Sequence, residues 1–163
     1  MTGMDRRRHI FYIGFSFFKK NYFCAVARIL AIDYGTRRCG LAVTDPLQLT
    51  VNGLETVHAD ELIDYLQSYL RREAVETIVV GEPLHADGQP AQIHYLVVGL
   101  VRKLKKLFPG VEVVMQDERD TSEEAKQVIR QSGIRRKKRR DKALVDQVSA
   151  TLILKDYLET YRW

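Results

Sequence analysis

The spacing of apolar residues changes character at residue 28. From there short apolar runs alternate with stretches of helical period, each bounded by turn-forming residues. Ile29–Ile32 is an apolar run ending in Asp33 and a Tyr34-Gly35-Thr36 turn, the pattern of a buried strand. Gly40–Thr44 predicts a second strand, close enough to form a hairpin with the first. Leu54–Val57, after Asn52-Gly53, predicts a third. Leu62, Ile63, Leu66, Tyr69 and Leu70 recur at helical spacing behind Asp60, which has the chemistry of an N-cap. Thr77–Val80 is β-branched throughout and predicts a parallel strand buried on both faces. Pro90 suits the first position of a helix running through Leu96, Leu100 and Leu104 to Phe108, where Pro109-Gly110 stops it. Val111–Met115 is the fifth strand. Thr121-x-x-Glu124 is a capping box for a helix that Gly133 ends, and Ala143–Tyr157 is the last helix. The order β-β-β-α-β-α-β-α-α predicts one α/β domain, residues 28–163, with a five-stranded mixed sheet and helices on both faces.

Residues 1–27 do not join this pattern. Arg6-Arg-Arg8, the apolar run Ile10–Phe18 and Ala25-Val-Ala27 imitate a signal peptide. The run is short and aromatic-rich, however, and Lys19-Lys20-Asn21 separates it from the A-x-A site. A strand begins at Arg28 with no spacer. The segment reads as an extension outside the domain, of the kind a start codon assigned too far upstream would add. Translation from Val26 would remove it.

Composition narrows the class. The 163 residues are 45% hydrophobic and 29% charged, ordinary for a globular domain and not for a disordered chain. Two cysteines, Cys24 and Cys39, are too few for a disulfide scaffold and fit a reducing, cytoplasmic setting. No apolar stretch is long enough for a membrane helix. The net charge of +5 suggests an anionic partner, but its distribution says more. Residues 1–27 carry five basic residues against one acid. Arg135–Lys142 carries seven against one, so the rest of the domain is acidic.

Three acids stand where chemistry is expected. Asp33 ends the first strand, Glu118 follows the fifth, and Asp146 shares a helix face with Ala143, Ser149, Ala150 and Ile153. A carboxylate on a largely apolar helix face needs a partner or a metal. Ligands of open α/β sheets collect at the carboxyl ends of strands, where such acids can converge. Hard oxygen donors of this kind suit Mg²⁺ or Mn²⁺. Each acid also has a structural reading. Asp33 could close an Asx-turn, Glu118 could pair with Arg119, and Asp146 could pair with Lys142.

The segments Arg28-Ile-Leu-Ala-Ile-Asp-Tyr-Gly-Thr-Arg-Arg-Cys-Gly-Leu-Ala-Val-Thr-Asp45, Ile78-Val-Val-Gly-Glu-Pro83, Asp117-Glu-Arg119 and Lys142-Ala-Leu-Val-Asp-Gln-Val-Ser-Ala150 resemble the YqgF/RuvX family. These are Holliday-junction-resolvase-like, pre-16S ribosomal RNA nucleases of RNase H-like fold. The resemblance covers residues 28 to about 160, with four motifs in order. It implies that Asp33, Glu118 and Asp146 are catalytic, metal-binding acids. Two positions depart from the family: Glu82 stands where an apolar residue is usual, and Asp120 follows Asp117-Glu-Arg119. Glu82 is either an additional metal ligand or a solvated loop residue.

Carboxylates repel nucleic acid unless cations lie beside them. Arg135, Arg136, Lys137, Lys138, Arg139 and Arg140 precede the Asp146 helix, and Arg37 and Arg38 follow Asp33. All eight are candidate phosphate contacts. Without interleaved aromatics the strip reads backbone, not sequence. His58, His85 and His94 match no metal spacing.

The expected activity is metal-dependent phosphodiester hydrolysis, with resemblance pointing to the 5′ end of pre-16S rRNA, free or in a ribosomal particle. One alternative is a resolvase of branched DNA, which would need a homodimer where the RNA enzyme could be a monomer. Another is a nucleic-acid-binding ribosome-assembly or transcription factor without turnover.

Overall fold

A computed structural model describes residues 27–84, 89, 91–117, 121–133 and 141–161. Five strands form one sheet: β1 (Arg28–Tyr34), β2 (Arg38–Thr44), β3 (Val51–His58), β4 (Val75–Glu82) and β5 (Glu112–Asp117). Four helices accompany them: α1 (Leu62–Arg72), α2 (His94–Leu107), α3 (Thr121–Gln131) and α4 (Lys142–Tyr161). The element order and the mixed sheet are those expected from the sequence. Strand order is β3-β2-β1-β4-β5, with β1 antiparallel to β2 and parallel to β4. The central strand therefore joins a three-stranded hairpin meander to a parallel αβ half.

Alternation along β1 explains both layers. Leu30 and Ile32 enter a core with Leu62, Leu66 and Tyr69 of α1 and Val97, Leu100, Val101 and Leu104 of α2. Ile29 and Ala31 face the other way, into a core with Ala150, Ile153 and Leu154 of α4. α3 packs on α4. Both faces of β1 are covered, which is why its sequence reads as an unbroken apolar run. No helix among the described residues is long and apolar enough to cross a membrane.

Three local expectations are corrected. Asn52-Gly53 is not a turn; it pairs with Val43 and Ala42 inside β3. The turn lies upstream, where the Asp45 carboxylate accepts the backbone N–H groups of Leu47, Leu49 and Thr50 at 3.1, 2.7 and 2.5 Å. Asp60 does not cap α1, whose N-terminus has no side-chain cap. A 3₁₀ turn, Ala59–Glu61, carries the chain straight from β3 into the helix, and Asp60 instead lies 3.4 Å from His58 Nδ1. α2 begins at His94, not Pro90, because the Ala91 N–H closes the preceding loop onto the Pro83 carbonyl at 3.0 Å. Pro90 itself lies outside the described residues. As the sequence predicts, α3 starts at Thr121, and Gly133 beyond its end takes a left-handed φ of 70°.

Three neighbouring residues on the α4 side of the hairpin are small: Ala31, Gly40 and Ala42. They let the helix backbone descend onto the sheet. A Cβ built on Gly40 would lie 1.9 Å from the Asp146 carbonyl oxygen and 2.3 Å from its carbon. Both neighbours are backbone, so no rotamer change relieves the clash. Two further contacts fix the start of α4: Ala143 N–H donates to Asp141 Oδ1 at 3.0 Å, an N-cap, and Thr56 Oγ1 donates to the Ala143 carbonyl at 2.8 Å.

Gly40→Ala should therefore destabilise the fold by about 2–4 kcal/mol in chemical denaturation, because α4 must lift from the sheet. Gly99→Ala is the contrast. Gly99 is inside α2 with nothing within 4 Å of a Cβ, and the substitution should stabilise by roughly 0.5–1 kcal/mol. A tolerated Gly40→Ala, with the Tm unchanged, would contradict the described approach of helix to sheet.

Candidate functional site

The register that places α4 also places the acids. Asp33 is paired with Gly40 across the β1–β2 ladder, and the Asp146 backbone lies over Gly40. Asp33 has the parity of Ile29 and Ala31, so its side chain points to the α4 side, where Asp146 and Ser149 stand one helical turn apart. Part of Asp33 still reaches solvent. Even so, the protein packed around its carboxyl pushes the pKa up to about 7. Desolvation is the main cause and the Asp146 charge the second, while the Ser149 hydroxyl acts the other way. Ser149 is 1% exposed, yet its Oγ completes no hydrogen bond among the described residues.

Asp146 is held from the sheet. Its Oδ2 accepts the Arg38 Nε–H at 2.8 Å, so its partner is Arg38, not Lys142. Arg38 is placed by the tight turn between β1 and β2, in which Gly35 N–H donates to the Arg38 carbonyl at 3.0 Å. A Cβ at Gly35 would come within 2.6 Å of that oxygen, so the turn needs glycine. Arg37, at the turn's tip, is exposed. Cys39, next along β2, is buried and its thiol is pushed up to about 12, chiefly by that burial. It is therefore not a nucleophile at neutral pH.

The structure thus brings together Asp33, Asp146 and Arg38 of the residues singled out from sequence, and adds Ser149. Glu82 goes elsewhere. It shares the parity of Ile78 and Val80, which face α1 and α2, and its Oε1 lies 2.8 Å from Nε2 of His94 at the start of α2. Glu82 pairs in register with Asp117 at the carboxyl ends of β4 and β5. Glu118 and the strip Arg135–Arg140 lie outside the described residues. Among those described, no three His, Cys, Asp or Glu residues form a metal-sized group.

The two aspartates nonetheless fit a divalent cation. A desolvated carboxyl beside a second carboxylate is an electrostatic debt that a hard cation cancels. Ser149, an enclosed hydroxyl that faces Asp33 without completing a full hydrogen bond, stands at the same spot. Its position three residues after Asp146 was visible in the sequence. The Arg38–Asp146 pair, spanning 108 residues, was not.

A family model described as RuvX, Holliday junction resolvase, matches residues 27–160. Among curated proteins, one from Flavobacterium johnsoniae is 43% identical over 136 residues, 83% of this chain and 99% of that protein. One from Christiangramia forsetii is 47% identical over 133 residues, 82% of this chain and 98% of that protein. One from Porphyromonas gingivalis is 46% identical over 134 residues, 82% of this chain and 97% of that protein. All three bear the name "Putative pre-16S rRNA nuclease". The chain of YeaZ from Pseudomonas aeruginosa matches with a TM-score of 0.38 and 18% identity, over 66% of this chain and 50% of that one, too distant for fold or function to be carried across. The model match and these identities, over four-fifths of the chain, establish that it belongs to the RuvX family.

Proposed function

We propose that this protein is a metal-dependent nuclease of the cytoplasm that hydrolyses phosphodiester bonds in the 5′ maturation of pre-16S rRNA. The carrying observation is the Asp33–Asp146 pair, brought together over Gly40 beside the enclosed Ser149 hydroxyl. The names of the curated relatives supply the substrate.

Asp33 and Asp146, with Glu118 as the third acid, would hold Mg²⁺ or Mn²⁺. The chemistry such an ion supplies is activation of an attacking water and stabilisation of the leaving oxygen. The chain's own residues do the rest. Asp33 is desolvated and, without a cation, holds its proton to about pH 7. Asp146 is anchored through the backbone of α4, which keeps its Cα close to the sheet. Arg37 is exposed at the tip of the turn after Asp33, and Arg135–Arg140 precede the α4 cap in sequence, so both can draw the phosphate backbone toward an otherwise repulsive centre. The second reading is cleavage of branched DNA, which the description of the matching family favours. Glu82 stands as a further candidate ligand only if it leaves His94.

Three outcomes are expected. Asp146→Asn should lower cleavage of precursor 16S RNA in Mg²⁺ or Mn²⁺ by roughly two orders of magnitude or more. Cleavage that survives the substitution would remove Asp146 from the centre, and four-way DNA junctions cut in preference to RNA would favour the second reading. Neutralising Arg135–Arg140 should make the slope of log K against log salt shallower by several units, about one for each lost phosphate contact.

The third outcome concerns pH. Unfolded, Asp33 loses its proton near 3.8; folded without metal, it keeps it to about 7. The stability it contributes is complete below the unfolded value and is lost as pH rises to about 7. In EDTA the wild-type Tm should fall over that window by more than the Tm of Asp33→Asn. Above pH 7, Mn²⁺ should raise the wild-type Tm and leave that of the variant unmoved. A wild-type to variant difference that does not change with pH would count against the raised pKa.

A further inference from the structure

Arg38 occupies a carboxylate oxygen of Asp146, one of the two acids that would hold a metal. Its Nε lies 2.8 Å from Asp146 Oδ2, and the two side chains are 40% and 24% exposed, so ions and water reach the pair. An ion pair open to solvent is weak. A divalent cation interacts with a carboxylate oxygen more strongly than a guanidinium does, through its higher charge and closer approach. Neither backbone can give way: Arg38 is fixed by the Gly35 turn, and Asp146 by the contact with Gly40. Any exchange therefore involves side chains alone.

Charge counting gives the exchange a direction. Above pH 7, where Asp33 has lost its proton, Asp33 and Asp146 with Arg38 carry a net negative charge, which repels a phosphodiester. Adding a divalent ion makes the centre more positive by two charges, which favours a phosphodiester. The displaced guanidinium, with a planar fork of donors, fits two phosphate oxygens at once.

We propose that Arg38 is the counter-ion of Asp146 in the metal-free protein and passes to a substrate phosphate when a divalent cation takes the Asp146 oxygens, so that metal loading arms the grip on nucleic acid. The proposal rests on the metal-dependent nuclease reading above. Thermodynamic linkage makes the coupling mutual: bound RNA, by holding Arg38, must also tighten the metal.

Two measurements test it. In calorimetric titration with Mn²⁺ alone, Arg38→Met should bind the ion about three- to ten-fold more tightly than wild type, the competitor being gone. Uptake by neither protein would defeat the metal reading, and the proposal with it. Equal or weaker uptake by Arg38→Met, alongside clear wild-type uptake, would overturn the exchange and leave the metal reading intact. The second measurement is binding of a short fluorescein-labelled RNA in EDTA, where no cleavage or metal intervenes. Asp146→Asn should release Arg38, tightening binding and steepening the salt slope by about one unit. The extra unit should vanish in the Arg38→Met/Asp146→Asn double variant. Measured above pH 7, where Asp33 is ionised, Asp33→Asn removes the same formal charge without releasing Arg38, and should not show the steeper slope. Equal effects of Asp146→Asn with and without Arg38 would mean that only charge removal was measured, and the proposal would fail.

Discussion

Much of the structure depends on one approach distance, that of the α4 backbone to Gly40. A helix normally rides on a sheet with side chains between them. Here the sheet offers Ala31, Gly40 and Ala42, and the peptide carbonyl of Asp146 fills the space that a side chain at position 40 would need. That contact sets the depth of α4 and, by the ladder register, the neighbour of Asp33. The Asp141 cap and the Thr56 bond to Ala143 fix where the helix starts. The centre is therefore held by backbone geometry, while its side chains remain free to change partners.

The electrostatics run against stability. Two carboxylates at a strand end, one strongly desolvated, are a poor choice for a fold that has only to persist. The protein moderates the conflict with the exposed Arg38 and a proton on Asp33, both easily removed. The apolar cores on the two faces of β1 supply the compensating burial.

Most of the architecture was legible because each segment had one dominant signal. The β-branched run at Thr77–Val80, the apolar run at Ile29–Ile32 and the helical spacing from Leu62 to Leu70 each formed the predicted element. Misread positions were those where two local signals competed. Asn52-Gly53 has turn chemistry, but Asp45 had already made the turn. Asp60 has cap chemistry, but a 3₁₀ entry left the cap unused. At the site, Asp33 and Asp146 could be nominated from strand ends and helix faces. Their partners could not, because Arg38 meets Asp146, and His94 meets Glu82, through tertiary packing that no local pattern encodes. Glu82 shows the limit of position alone. Being at the end of a central strand suggested the metal centre, while strand parity turned it toward the opposite helical layer.

The sequence distance between the two aspartates has a consequence during synthesis. The β1–β2 hairpin supplies Asp33 and Arg38, α4 supplies Asp146 and Ser149, and 108 residues separate the ion-paired groups. Strands β1–β3 can pair as soon as they emerge, since their contacts are local. The half-site they present then holds Asp33 and a cation, with no second carboxylate. Only when α4 has left the ribosome and descended onto Gly40 do the two acids meet. A growing chain, tethered to the machine whose RNA its relatives are named for cutting, thus stays without the proposed pair of acids until α4 is made.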